Sequence, residues 1–83
     1  MAELNYEKFL SDLITPLVMH PEEVLVKTFA EDDDVITLQV MVNEEDLGRV
    51  IGKKGRVANA IRTIAFACAA RNGKKLEISI DSF

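Results

Sequence analysis

The sequence predicts an α+β domain with the element order α-β-β-α-α-β. Three observations carry this reading. Apolar residues near the start recur at helical spacing, three short stretches are β-branched or alternate apolar with polar, and a glycine-flanked loop opens an amphipathic helix. Eighty-three residues, 48% of them hydrophobic, supply one core and leave no room for a second, so residues 1–83 read as a single domain. No segment is rich in Pro, Ser or Gly, and only the first residues, Met1 to Leu4, and the final Ser82-Phe83 read as loose.

Leu4, Phe9, Leu10, Leu13, Ile14, Leu17 and Val18 share one helical face, with Glu7, Lys8, Ser11 and Asp12 between them, which predicts a helix over about 5–19. Pro21 ends it, because a proline disfavours helical geometry in the residue before it, and His20 reads as a helix-end residue. Val24 to Ala30 and Val35 to Val42 predict a hairpin, the second strand placing Ile36, Leu38, Val40 and Val42 on one face. Their connection, Glu31-Asp32-Asp33-Asp34, lacks the ligand spacing and terminal Glu of a calcium loop and reads as a solvated turn. Asn43 with Glu44, Glu45 and Asp46 marks the start of a short helix. A longer helix runs from about Arg56 to Arg71, stopped by Asn72-Gly73, and Leu76 to Ile80 is the third strand.

Net charge conceals two unlike halves. Residues 1–46 hold two bases against twelve acids, and residues 47–83 hold eight bases against two acids, so −10 and +6 make up the net −4. Such a chain does not coat duplex DNA by bulk charge, yet its second half can hold a few phosphates. The single cysteine, Cys68, forms no internal disulfide and fits a small buried position in an Ala-rich helix. With one cysteine and one histidine far apart, no metal site of recognisable ligand spacing can be assembled, which argues zinc out, and no cofactor motif appears. The N-terminus has no secretion-signal pattern and no apolar run spans a bilayer, which predicts a cytoplasmic protein.

Function concentrates in Leu47-Gly48-Arg49-Val50-Ile51-Gly52-Lys53-Lys54-Gly55-Arg56-Val57, placed between two helices. Two glycines around two lysines permit a sharp turn that a sugar-phosphate chain can approach closely. The turn opens a helix whose unpaired N–H groups and positive dipole end favour an anion. Arg49, Lys53, Lys54 and Arg56 add positive charge, while Ile51, with Val50, Val57 and Ile61, forms an apolar floor for bases. Splayed bases beside a gripped backbone describe a single strand, RNA ahead of DNA. A nucleotide P-loop does not fit, since three residues rather than four separate Gly48 from Gly52, and Lys54 stands where Ser or Thr should bind magnesium. Nor does a membrane-helix contact, because Arg49, Lys53 and Lys54 would be buried in lipid.

Val50-Ile51-Gly52-Lys53-Lys54-Gly55 resembles the I-G-x-x-G signature of KH domains, and the element order is similar to their type II, prokaryotic form. Over essentially the whole chain, and most closely from Leu47 to Arg62, the sequence resembles the KhpA family of small bacterial single-KH proteins. That resemblance implies three helices on a mixed three-stranded sheet. It also implies a cytoplasmic single-stranded RNA binder, an RNA chaperone or post-transcriptional regulator, that forms homodimers and pairs with a larger KH-containing protein, KhpB. The family is linked to cell elongation and cell-wall homeostasis. In KH domains the loop clamps about four nucleotides of backbone. Carried over residue by residue, Gly52, Lys53, Lys54 and Gly55 are the clamp and Ile51 borders the base groove.

A second surface is expected on the long helix. Val57, Ile61, Ile64 and Cys68 form a stripe for the sheet, yet Phe66, Ala69 and Ala70 extend the apolar character around the helix. A dimer interface is therefore expected near Ile61 to Ala70, with Ile61, Phe66, Ala69 and Ala70 as its residues. Cover by the first helix fits the pattern equally, and the resemblance favours the dimer. Two function classes follow: a non-catalytic RNA binder, or a protein-interaction scaffold in which RNA binding is secondary. An enzyme is disfavoured because His20 has no nucleophile beside it and no paired carboxylates appear.

Overall fold

The computed structural model describes residues 5–83, so Leu4 and the loose start expected at Met1 to Leu4 lie outside the described residues. Helix α1 (Tyr6–Ile14) begins at Asn5, whose side chain accepts the Lys8 N–H at 3.1 Å. It buries Leu10 and Ile14, with Tyr6, Phe9 and Leu13 at the margin of the core. The helix ends five residues before the expected position 19. Pro16 is the reason: it lacks the N–H that would continue the ladder, and Thr15–Leu17 tighten into a 3₁₀ turn. His20 is thus not a helix end but the residue that leads into a second 3₁₀ turn, Pro21–Glu23.

Strands β1 (Leu25–Asp32), β2 (Val35–Val42) and β3 (Lys75–Ser82) form one sheet in the order β1-β2-β3. β1 runs antiparallel and β3 parallel to the central β2, which makes the sheet mixed. Alternation in β2 is as expected, with Ile36, Leu38, Val40 and Val42 all buried against Leu76 and Ile78 of β3 and the helical layer. The hairpin turn is tighter than the four-residue acidic connection. Glu31 and Asp32 pair with Ile36 and Val35, leaving Asp33-Asp34 as the turn. This register requires a bulge: it shifts between Thr28 and Ala30, so Phe29 is the extra residue and stands 67% exposed. Lys74 Nζ closes the tip on the Asp33 carbonyl at 2.8 Å. The C-terminus is tied down where looseness was expected, because Ser82 pairs with Val42 and the Phe83 N–H donates to the Val42 carbonyl at 3.1 Å.

Parallel pairing of β2 and β3 demands a crossover, supplied by α2 (Leu47–Ile51) and α3 (Arg56–Ala70). Gly73 at φ +71° ends α3, with Lys74 N–H on the Ala69 carbonyl at 2.9 Å and Gly73 N–H on the Ala70 carbonyl at 3.1 Å. α3 buries Ala58, Ile61, Ala65 and Ala69. The core stripe is therefore rotated from the Val57-Ile61-Ile64-Cys68 line: Ile64 is 47% exposed and Cys68 only half-buried. Alanines on the inner face let the helix backbone approach the sheet closely, and the bulkier Ile64 is turned outward. Arg62 reaches the edge strand β3, donating from Nε and Nη2 to the Ile78 carbonyl at 3.3 Å each.

One buried charge joins the two ends of this framework. Asp46 is fully buried, and its Oδ1 and Oδ2 accept the backbone N–H groups of Met19 at 2.9 Å and His20 at 3.0 Å. The carboxylate pins the segment ahead of β1 to the start of α2. Among the described residues no helix is long and apolar enough to cross a membrane. Asp46→Ala should destabilise the fold by about 2–4 kcal/mol, because two part-buried donors lose their acceptor. Asp46→Asn should fail to rescue, since its amide would set a donor against one of the two N–H groups, and urea unfolding of both variants measures the difference.

Candidate nucleic-acid interface

The loop forms because α2 cannot continue past Gly52. That residue adopts φ +77°, ψ 174°, a region essentially reserved for glycine, while its N–H still caps α2 on the Gly48 carbonyl at 2.8 Å. Space forbids a side chain as firmly as conformation does. A Cβ at Gly52 would overlap the Val57 side chain and lie 2.9 Å from the Val57 backbone nitrogen. Lys53–Gly55 then close a single 3₁₀ turn in which Gly55 N–H donates to the Gly52 carbonyl at 3.1 Å. Gly55 sits at φ +75°, ψ 14°, but a Cβ there meets nothing nearer than Asn59 Nδ2 at 3.9 Å. Lys54 shares the left-handed region at φ 57°, ψ 27° without being glycine, a conformation that costs about 1–2 kcal/mol.

The bend brings the expected site residues together. Arg49 lies in the last turn of α2 and Ile51 ends it, Gly52 to Gly55 make the turn, and Arg56 is the first residue of α3. Arg49, Lys53, Lys54 and Arg56 are all exposed, and among the described residues none of them enters an ion pair. The fifteen residues of α3 direct their positive dipole end at the same point. The amide supply is smaller than a bare helix start would offer, because the Arg56 N–H already donates to the Lys53 carbonyl and the Gly55 N–H to Gly52. The apolar floor is also narrower than expected. Val50 and Ile61 are sealed in the core at 0% and 5% exposure, leaving half-buried Ile51 and Val57 beside the loop.

On the proposed second surface, Ile61 and Ala69 are core residues of this one chain and cannot also meet a partner. Phe66 at 41% and Ile64 at 47% exposure are the large apolar groups left on the outside of α3, with Ala70 also exposed. Ile64 was missed because its size marked it for the core, whereas Ala65 takes that place.

A family profile described as KhpA/KhpB, KH domain, matches residues 7–80. The chain belongs to that family. It is 45% identical over 74 residues to the RNA-binding protein KhpA of Listeria monocytogenes, covering 89% of this chain and 96% of that protein. Against the RNA-binding protein KhpA of Bacillus subtilis it is 40% identical over 80 residues, 96% of this chain and 98% of the relative. Among solved structures, Aquifex aeolicus Era bound to GDP and aluminium fluoride superposes with a TM-score of 0.73 at 20% identity, over 99% of this chain and 33% of Era. A structure of Era in complex with MgGDPNP and nucleotides 1506–1542 of 16S ribosomal RNA gives 0.74 at 20% identity, over 94% of this chain and 30% of that one. These superpositions bear on the fold: three helices on a mixed three-stranded sheet, the type II KH arrangement.

The two loop glycines should separate sharply on substitution. Gly52→Ala meets both a forbidden backbone region and the Val57 side chain and should cost about 3 kcal/mol or more. Gly55→Ala meets only the left-handed penalty, about 1–2 kcal/mol. Denaturant midpoints of the two variants check this order.

Proposed function

We propose that this KH domain binds single-stranded RNA through the Gly52-Lys53-Lys54-Gly55 turn, without catalysis. The observation that carries the reading is the turn itself, a glycine-flanked bend at the mouth of α3 whose two lysines, with Arg49 and Arg56, are exposed and have no ion-pair partner among the described residues. A strand laid along it places phosphates against Lys53, Lys54, Arg49 and Arg56 and turns bases toward Ile51 and Val57. Residues 47–83 hold eight bases against two acids, so positive charge is concentrated in the half of the sequence that carries the turn although the net charge is −4. Relatives named RNA-binding proteins align over nearly the whole chain, which supports the same reading.

Family membership extends the proposal to a cytoplasmic RNA chaperone or post-transcriptional regulator that acts as a homodimer or with a larger KhpB-like partner, in cell elongation and cell-wall homeostasis. The exposed Phe66 on α3, with Ala70 one turn further on the same flank, is the surface for that pairing, while Ile64 stands on the opposite flank. The same observation favours the second reading, a scaffold whose main task is protein contact.

Because a side chain at Gly52 disturbs the fold, charge reversal of the lysines is the cleaner test. Wild type should bind short single-stranded RNA with a log-log salt slope of about −2 to −3, as three or four phosphate contacts require. Lys53→Glu with Lys54→Glu should reduce affinity at least tenfold while circular dichroism stays unchanged. Equal binding by that folded variant would refute the clamp. Phe66→Glu, measured by sedimentation, should abolish self-association and leave RNA titration largely intact; the scaffold reading requires the opposite ranking of the two variants in cells.

A further inference from the structure

The turn ahead of β1 gathers ligating side chains that take no part in the loop. Because Pro21–Glu23 coil as a 3₁₀ turn directly after His20, Glu22 and Glu23 fold back toward the imidazole. His20 Nδ1 lies 3.8 Å from Glu22 Oε1 and 3.6 Å from Glu23 Oε2, and one ligand atom from each of the three falls within 4.8 Å of the others. Those separations are too long for hydrogen bonds. They approach the roughly 3–3.5 Å between donors that share one small divalent ion at about 2.1 Å.

The opposite ring nitrogen fixes which way the lone pair points. Nε2 is 3.0 Å from Glu45 Oε1, and since an ionised carboxylate only accepts, Nε2 carries the proton. In the neutral ring Nδ1 therefore presents its lone pair to Glu22 and Glu23. Supporting contacts hold the other parts: Asn43 Nδ2 donates to Glu23 Oε2 at 2.9 Å, and the buried Asp46 holds the His20 backbone N–H at 3.0 Å. A carboxylate behind the imidazole and an amide behind the ligating carboxylate are the outer contacts that orient metal ligands.

We propose that His20, Glu22 and Glu23 form a three-ligand site for a borderline divalent cation such as Zn²⁺ or Co²⁺, with Glu45 as the positioning residue that sets the ring. Positions not filled by protein stay open to water. Imidazole separates this cluster from the acidic hairpin at Glu31 to Asp34, whose carboxylates alone suit hard cations. Spacing read along the sequence did not reveal it, because attention to cysteine and histidine passes over two consecutive glutamates that only a 3₁₀ turn brings to the ring. Protons compete for the site: the Glu45 hydrogen bond, aided by the charges of Asp46, Glu23 and Glu45 and opposed by desolvation, raises the His20 pKa above its ordinary value.

The test is a Zn²⁺ titration of the full chain at about pH 8, above the ordinary histidine range, followed by calorimetry and by NMR of the His20 ring. Cys68→Ser is run beside wild type to remove the thiol as a competing ligand. The expected result is one ion per chain, a shift centred on Nδ1 and the adjoining ring carbon, and retention of Zn²⁺ in excess Mg²⁺. His20→Gln and Glu23→Gln should each weaken binding at least tenfold, and Glu45→Gln about tenfold through loss of ring orientation. His20→Gln keeps the backbone N–H that Asp46 holds, so the fold is retained. Zinc affinity unchanged by His20→Gln, Mg²⁺ binding as tight as Zn²⁺, or a His20 ring unmoved by millimolar zinc in wild type would each overturn the site.

Discussion

The contact on which the functional end of this domain depends is the one between Gly52 and Val57, where a β-carbon has no room. Glycine's missing side chain lets α2 stop and α3 start within a single turn, in a backbone region that other residues avoid. Everything proposed for the loop follows from that proximity. The exposed lysines are carried outward on the turn, Lys54 is forced into a left-handed conformation, and Ile51 and Val57, one on each side of the turn in the chain, stay only half-buried. The strain at Lys54 is small against the apolar packing of the core to which α2 and α3 contribute Val50, Ile61 and Ala65, all but wholly buried.

The rest of the fold serves to hold α2 and α3 at that angle. β2 is the central strand, buried along one face, and the parallel β3 can be reached only by the crossover that contains the loop. Asp46 adds a polar bond to this apolar frame. By accepting two backbone N–H groups from residues 19 and 20 it fixes the start of α2 to the segment ahead of β1, and it sets the position of His20. The proposed cation site and the proposed RNA loop are thus linked through one short helix whose first turn is anchored at one and whose last turn ends at the other.

Much of this was legible in the chain. β2 has the expected limits, Val35 to Val42, because strict alternation of branched apolar residues has no competing interpretation. The loop was legible for a related reason: two glycines three apart beside basic residues, just before a helical pattern, leave few backbone solutions. The end of α1 was misplaced because apolar spacing continued past Pro16, and periodicity reports which side chains share a face but not whether the backbone ladder closes. The hairpin turn was drawn too long since acidic residues were read as loop, while a bulge at Phe29 shifted the register and let Glu31 and Asp32 pair.

Side-chain pattern and backbone chemistry were enough to determine the order of elements, the identity of the central strand and the position of the glycine loop, because each is set by neighbours within a few residues. Tertiary structure alone decided which face of α3 is buried, since apolar residues lie all round the helix and the sheet takes the side that carries Ala58, Ile61, Ala65 and Ala69. It also decided that Val50 and Ile61 lie in the core rather than under a ligand, and that Glu45 meets the His20 ring. Such juxtapositions depend on where distant segments pack, and no local rule encodes them.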